Sequence, residues 1–222
     1  MTPRGYISWS SLDLLERSVE KWKERYLYGE KSRTNRGQAL GKLMADSLEQ
    51  DVASGDPVLD LVITRIPKLE IMDRVLEDEK GDWVEVNHNG KMERYQVPVL
   101  QDGKIRIPLV AKPDTARADY SAFKEYKTGQ APWTKKKAQE HGQMHFYAAA
   151  IFVKTRRLPG DVELVHVETG KKEVGQFDAT LAPTGEIYRY PVVITMSHVL
   201  NMMVRIKRAW AIMEKVTEEE LL

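Results

Sequence analysis

Three charged side chains in the stretch KPDTARADYSAFKEYKTG, residues 112–129, have types and spacing that could do chemistry: Asp114, Glu125 and Lys127. The apolar and turn residues around them predict two short strands joined by a hairpin. Asp114 would end the first strand, with Glu125 and Lys127 near the end of the second, where strands run out into solvent. Side chains alternate along a strand, so Glu125 and Lys127 share a face and Tyr126 takes the other. A hairpin can bring Asp114 beside the pair. Two carboxylates on one spot repel each other unless a cation joins them. Oxygen donors without His or Cys suit a hard ion, Mg²⁺ or Mn²⁺. Lys127 could then orient or deprotonate a water for attack on a phosphodiester while the metal stabilises the developing charge. The plain alternative is a solvated strand end with an ion pair, which contributes little energy. Two further acid-x-Lys triplets, Asp78-Glu79-Lys80 and Asp102-Gly103-Lys104, lie in a polar run and a turn, with no acid on a neighbouring strand.

The elements that must position these groups read as an α/β chain. SWSSLDLLERSVEKWKERYLYG predicts a helix capped by Ser10 or Ser11, with Leu12, Leu15, Val19, Trp22 and Tyr26 at helical spacing. A second helix runs from about Thr34 into the early fifties, with Leu40, Leu43, Met44 and Leu48 on one side and Gly55 after its end. Pro57 to Ile66 fits a short helix or a strand. From Leu69 to Val110 the pattern is strand-like, punctuated by the hairpin signals Asn89-Gly90 and Asp102-Gly103. TKKKAQEHGQMHFYAAAIFV predicts a helix beginning near Thr134. DVELVHVET is a strand, YRYPVVIT fits another, and SHVLNMMVRIKRAWAIMEK is a final amphipathic helix capped by Ser197, with Met202, Met203, Trp210 and Met213 as core. No repeat or low-complexity linker divides the chain, which predicts helices first, then an antiparallel or mixed sheet, then a helix and a further strand.

At this point the order of motifs carries a resemblance. Pro113-Asp114, ten further residues and Glu125-Tyr126-Lys127 resemble the signature of the PD-(D/E)XK nuclease superfamily. Gln143-Met144-His145-Phe146-Tyr147 is similar to the Gln-x-x-x-Tyr motif of its RecB-like exonuclease branch, and ISWSSLDLLERSVEKWKERYL resembles that branch's N-terminal helix. The resemblance covers residues 6–152. It implies a restriction-endonuclease-like core, a mixed central sheet flanked by helices, in one nuclease domain over 1–222. It also implies a Mg²⁺- or Mn²⁺-dependent deoxyribonuclease, an exonuclease on DNA ends or single strands, with Asp114, Glu125, Lys127, Gln143 and Tyr147 catalytic. Asp114, Glu125, Glu49 and the carbonyl of Tyr126 would hold the metal. In this branch a helical glycine is followed by a His and then a Glu at four-residue steps. Gly41 and Glu49 fit that pattern, but Ala45 stands where the His would be. A non-catalytic DNA-binding or assembly subunit with the same fold is the alternative, and Ala45 is its argument. No G-x-x-x-x-G-K-[ST] loop occurs, so any unwinding would come from a helicase or recombination partner.

The remaining candidates surround this centre. Gln143 and Tyr147 lie four apart, on one helical face, where amide and phenol can hold a phosphate or the lysine. Lys135, Lys136 and Lys137 open the same helix against its dipole, which suits a passing phosphate backbone, and Trp133 is a candidate stacking platform for a base or else a hydrophobic staple. His141 and His145 are expected to face away from the centre, about 200° from Gln143, and Arg205, Lys207 and Arg208 would extend a basic track or simply face solvent. In a chain of 222 residues, 34 Lys and Arg balance 33 Asp and Glu, so net charge neither suggests nor excludes DNA. With no cysteine, disulfides, thiolate zinc and iron–sulfur clusters are excluded. No apolar run is long enough to span a membrane and the N-terminus lacks a signal-peptide pattern, so a cytoplasmic monomer or weak oligomer is expected.

Overall fold

The computed structural model describes residues 5–30, 36–50, 52–69, 71–72, 75–78, 83–86, 107, 109–174 and 178–220. β1 (Ile7–Ser8) leads into α1 (Trp9–Arg17), whose cap is Ser8 rather than Ser10 or Ser11, its hydroxyl accepting from Ser11 N. The expected single N-terminal helix breaks at Ser18, which turns extended and offers its hydroxyl to Lys21 N to start α2 (Val19–Tyr26). A serine satisfies a helix start better than a helix interior, so the break is where capping outcompetes continuity. Leu12, Leu15, Trp22 and Tyr26 are still buried, and Trp22 Nε1 donates to Ser11 Oγ at 2.9 Å.

Next come α3 (Arg36–Gln50) and α4 (Pro57–Arg65). The Asp56 carboxylate accepts from Val58 N and Leu59 N ahead of Pro57 at the first helical turn, which resolves that ambiguous stretch as a helix. On α3, Met44 and Leu48 are buried as expected, whereas Leu43 is exposed. Short strands follow: β2 (Ile71–Met72), β3 (Val75–Asp78), β4 (Trp83–Val86), β5 (Leu109–Val110) and β6 (Thr115–Ala116). The Asn89-Gly90 and Asp102-Gly103 hairpins fall outside the described residues.

After β7 (Ala122–Gly129) the expected long helix is two: α5 (Lys135–Gln139), a break at Glu140 and His141, and α6 (Gly142–Thr155). β8 (Asp161–Val174), β9 (Asp178–Pro191) and α7 (Met196–Glu220) complete the chain. Thr195, not Ser197, offers the capping hydroxyl to α7, accepting from His198 N.

The central sheet is mixed, in the order β2-β6-β7-β8-β9, with β7 and β8 parallel and the other pairs antiparallel. The helical crossover through α5 and α6 is what a parallel β7–β8 pair requires. Alternation along β7 and β8 sends Phe123, Val162 and Leu164 into a core with α1, α2, α6 and α7. Tyr126, Val165 and Val167 go into a second core with α3 and α4. Helices therefore flank both faces, as the sequence led one to expect.

Candidate active site

β6 and β7 pair with Thr115 opposite Lys124 and Ala116 opposite Phe123, so Asp114 arrives just before the paired residues, across from Glu125. Tyr126 N donates to Asp114 Oδ2 at 2.6 Å, which pins this carboxylate to the backbone of β7. Glu125 and Lys127 share a face, and Lys127 Nζ donates to Glu125 Oε1 at 2.6 Å. From α6, Gln143 Nε2 donates to Glu125 Oε1 at 2.6 Å and to Tyr147 OH at 2.7 Å, while Gln143 Oε1 accepts from Lys127 Nζ at 2.8 Å. Only this amide orientation serves all three partners, because the reverse would set an amide oxygen against a carboxylate. Tyr147 is held edge-on to Phe123, with ring centroids 5.9 Å apart. Two of the three N–H donors of Lys127 are thus engaged within the protein, leaving one for a water or phosphate oxygen.

The expected solvent-facing strand end is instead covered. α3 lies over one side and α6 over the other, leaving Glu125 3% exposed and Gln143 9%. A cleft of about 510 Å³ remains, with Gly37, Gly41 and Ala45 of α3 on one wall and Asp114, Glu125 and Lys127 on the other. Burial, and then the charge of Glu125, push the Asp114 carboxyl well above the usual carboxylate range. Burial works against the Lys127 ammonium, but Glu125 and Asp114 outweigh it and its pKa is raised. Burial likewise raises that of the Tyr147 phenol. Two carboxylates and one ammonium leave a formal charge of −1 in a largely desolvated place, and Glu125 Oε2 is buried with no hydrogen-bond partner among the described residues other than the neighbouring Asp114 carboxyl. A lone buried carboxylate oxygen is costly unless a cation or donor meets it.

These groups fit a hard divalent cation. Mg²⁺ commonly takes one or two carboxylates and fills its remaining positions with water and substrate phosphate. Asp114, Glu125 and the Tyr126 carbonyl supply an all-oxygen set of that kind. Among the described residues no group of three His, Asp or Glu side chains gathers. Glu49 belongs to α3, but its side chain lies outside the described residues.

The outlying candidates divide. Lys135, Lys136 and Lys137 are exposed at the start of α5, with Thr134 capping Lys137 N. Trp133 is half-buried against the main core; Lys137 Nζ sits 4.2 Å over its ring and His141 lies 5.1 Å away. The ring thus packs on the core as a staple would, with Lys137 over it where a base would stack. Arg205 is bonded to Glu16 and lies over Trp9, which removes it from a free basic track. His145 stacks on His198 at 4.3 Å.

His141 corrects the sequence reading of one long helix. Because the helix breaks there, it takes the N-cap position of α6 without a side-chain capping bond. It packs beside Trp9 and Trp133 outside the cleft, and still lies close enough to Lys127 to feel its charge. The break follows from Gly142, where a Cβ would come within 2.2 Å of the Trp9 ring. No helical periodicity could show this; the one signal was a glycine inside a helical pattern. Burial first, then Lys127, lower the His141 pKa to about 4. A histidine depressed in the folded state contributes stability above its unfolded pKa near 6.5, and that stability is lost as pH falls from there toward 4. Urea unfolding between pH 7 and 4 should therefore show a shallower decline for His141→Gln than for the wild type. An unchanged slope would remove His141 from the acid response. His145 and His166 shift in the same direction, so the slope should shrink without vanishing.

No family's sequence profile matches the chain, and no curated protein does. Among solved structures, a candidate exonuclease from Eubacterium rectale is similar, with a TM-score of 0.52, over 98% of this chain and 83% of that one, at 10% identity. At that identity the likeness shows a shared fold. No helix among the described residues is long and apolar enough to cross a membrane.

Proposed function

We propose that this chain is a metal-dependent deoxyribonuclease of the RecB-like PD-(D/E)XK type, hydrolysing phosphodiester bonds at DNA ends or in single strands. The observation that carries this reading is the pair of buried carboxylates, Glu125 and Asp114, with Glu125 Oε2 given no donor by the described residues, in a cluster already tied to Lys127 and Gln143. When bound, Mg²⁺ or Mn²⁺ supplies Lewis-acid neutralisation of charge developing on the phosphate. Asp114, Glu125 and the Tyr126 carbonyl would hold it, with Glu49 as a further proposed ligand. Lys127 holds a proton at Nζ beside the place where the attacking water must sit, and Gln143 and Tyr147 fix its direction. Asp114, locked by Tyr126 N, cannot swing away. The cleft's walls reduce the screening of these charges by bulk water.

Labelled linear DNA should be cut with Mg²⁺ or Mn²⁺, bound but poorly cut with Ca²⁺, and untouched in excess chelator. Full activity in chelator, or a strict need for zinc, would sink the proposal. Metal-dependent binding without any cleavage would instead favour the non-catalytic DNA-binding subunit, the reading that the alanine at position 45 invites.

The exposed lysines of α5 are proposed to meet the DNA backbone. Replacing Lys135, Lys136 and Lys137 with Gln should flatten the slope of log affinity against log salt by roughly 0.7 to 0.9 for each phosphate left unneutralised. The rate at saturating DNA should change far less, since these lysines would bind ground and transition states alike. An unchanged slope in a salt titration with Ca²⁺ would place the DNA path elsewhere. A helicase or recombination protein as partner, with a place in DNA repair or recombination, belongs to the same proposal.

A further inference from the structure

The segment that leaves the catalytic strand is fastened to the sheet at both ends. Beyond Gly129, the last residue of β7, the chain crosses to α5 and its three exposed lysines. At the near end Gly129 O accepts from His166 Nε2 at 3.0 Å. At the far end Trp133 O accepts from the Tyr190 hydroxyl at 2.9 Å, and the Gln139 side chain then ties α5 to the backbone N and O of Val193. The near end lies against the chemistry. Lys127, His166 and Tyr188 form one rung across β7, β8 and β9, their side chains on one face. Tyr188 stacks on the imidazole, with ring centroids 6.2 Å apart, and sets its plane.

His166 is 1% exposed, and its Nδ1 has no partner among the described residues. A carbonyl only accepts, so the bond to Gly129 puts the proton on Nε2 and leaves Nδ1 a bare acceptor. Burial lowers the pKa of the ring, which favours this neutral form. A buried acceptor without a donor destabilises a fold, and an apolar side chain such as that of the equally buried Leu164 would not. What the imidazole supplies and a leucine cannot is the donor at Gly129.

We propose that His166 is a positioning residue of the cleavage site: by holding Gly129 O it fixes the end of β7, and with it the direction of Lys127. The proposal rests on the phosphodiester-cleaving reading of the same site. Lys127 is two residues from this clamp, and Thr128, which borders the cleft, lies between them. The carboxylates are fastened separately, Asp114 by Tyr126 N and Glu125 by Gln143. Loosening the strand end therefore disturbs the lysine and leaves the metal's ligands in place.

Three variants separate this role from packing. His166→Leu fills the space and removes the donor, His166→Gln keeps an amide donor at the reach of Nε2, and Tyr190→Phe frees only the far end at Trp133. Cleavage at saturating linear DNA is measured beside melting temperature, Mn²⁺ affinity without DNA, and peptide-level hydrogen exchange over residues 128–134. Misplacing a catalytic group by about 1 Å costs up to roughly 10²-fold, so His166→Leu should slow cleavage by about 10–100-fold. Exchange over the segment should quicken while Mn²⁺ affinity holds. Its melting temperature should not fall, because the bare acceptor is gone and water meets the carbonyl of the half-buried Gly129. His166→Gln should recover most of the rate, and Tyr190→Phe should keep it. A normal rate in His166→Leu overturns the proposal, and so does an equal loss of rate in Tyr190→Phe. A melting temperature that falls in step with the rate in both His166 variants reduces the residue to packing and overturns it too. Unchanged exchange in His166→Leu overturns the clamp itself. If the wild type cuts no DNA, the nuclease reading fails, while exchange still decides whether His166 holds the strand end.

Discussion

Replacing either carboxylate by its amide, Asp114→Asn or Glu125→Gln, is expected to cut DNA cleavage by about 10³-fold or more and to raise the melting temperature of the metal-free protein. The first effect follows from losing a charged ligand to a cation that supplies several kcal/mol of transition-state stabilisation, each 1.36 kcal/mol being tenfold in rate. The second follows from charge counting. The cluster holds two carboxylates and one ammonium, so one amide takes it from −1 to zero in a place where water screens it poorly. Burial and Glu125 already push Asp114 toward its protonated form, which states the same strain in terms of titration. Asparagine keeps an oxygen for Tyr126 N, and glutamine keeps the shape Gln143 packs against. The isosteric amides therefore separate chemistry from packing, whereas alanine would open a cavity. Near-normal cleavage by Asp114→Asn at saturating Mg²⁺ would refute the site. A lower melting temperature without metal would refute the charge count.

Lys127→Met should lower cleavage by roughly 10²–10⁴-fold, the usual worth of a positioned proton donor or acceptor. Its effect on stability should be opposite in sign to that of the amides. The cluster goes from −1 to −2, and Glu125 Oε1 loses a partner at 2.6 Å. Removing one member of a fully buried pair costs roughly 3–5 kcal/mol; with 28% of the Lys127 side chain exposed, about 1–3 kcal/mol is expected. Because a doubly negative cluster attracts a cation more strongly, Mg²⁺ should raise the melting temperature of this variant by more than it raises that of the wild type. Parallel melts with and without Mg²⁺, beside single-turnover cleavage, read all three effects. A wild-type cleavage rate in Lys127→Met would remove the lysine from the chemistry.

The convergence of Asp114, Glu125, Lys127, Gln143 and Tyr147 was legible because two local periods determine it. Strand alternation puts Glu125 and Lys127 together, and the helical step of four puts Gln143 above Tyr147. Their burial was not legible. A charged segment reads as solvated, and it is the packing of α3 and α6, elements distant in sequence, that covers it. The breaks at Ser18 and at Glu140–His141 were hidden because apolar spacing runs on through both. A competing cap makes the first and the Trp9–Gly142 contact the second. The direction of His141 was projected along a helix that begins only after it, although the residue does lie outside the cleft. The α3 wall of the cleft was visible only as small residues at helical spacing, which alone do not reveal what they face.

The contact between Trp9 and Gly142 also bears on the order in which this protein assembles. Trp9 precedes Gly142 by 133 positions, so its indole has no seat against that glycine until the chain has been made as far as α6. Closing so long a loop is slow compared with forming a helix or a hairpin. β6 and β7 can pair early and bring Asp114 beside Glu125, but Gln143 reaches them only from a helix whose first turn is set against Trp9. On that order the two carboxylates would be gathered before their amide and phenol partners arrive. Completion of the five-residue cluster is then tied to the docking of α1 against α6.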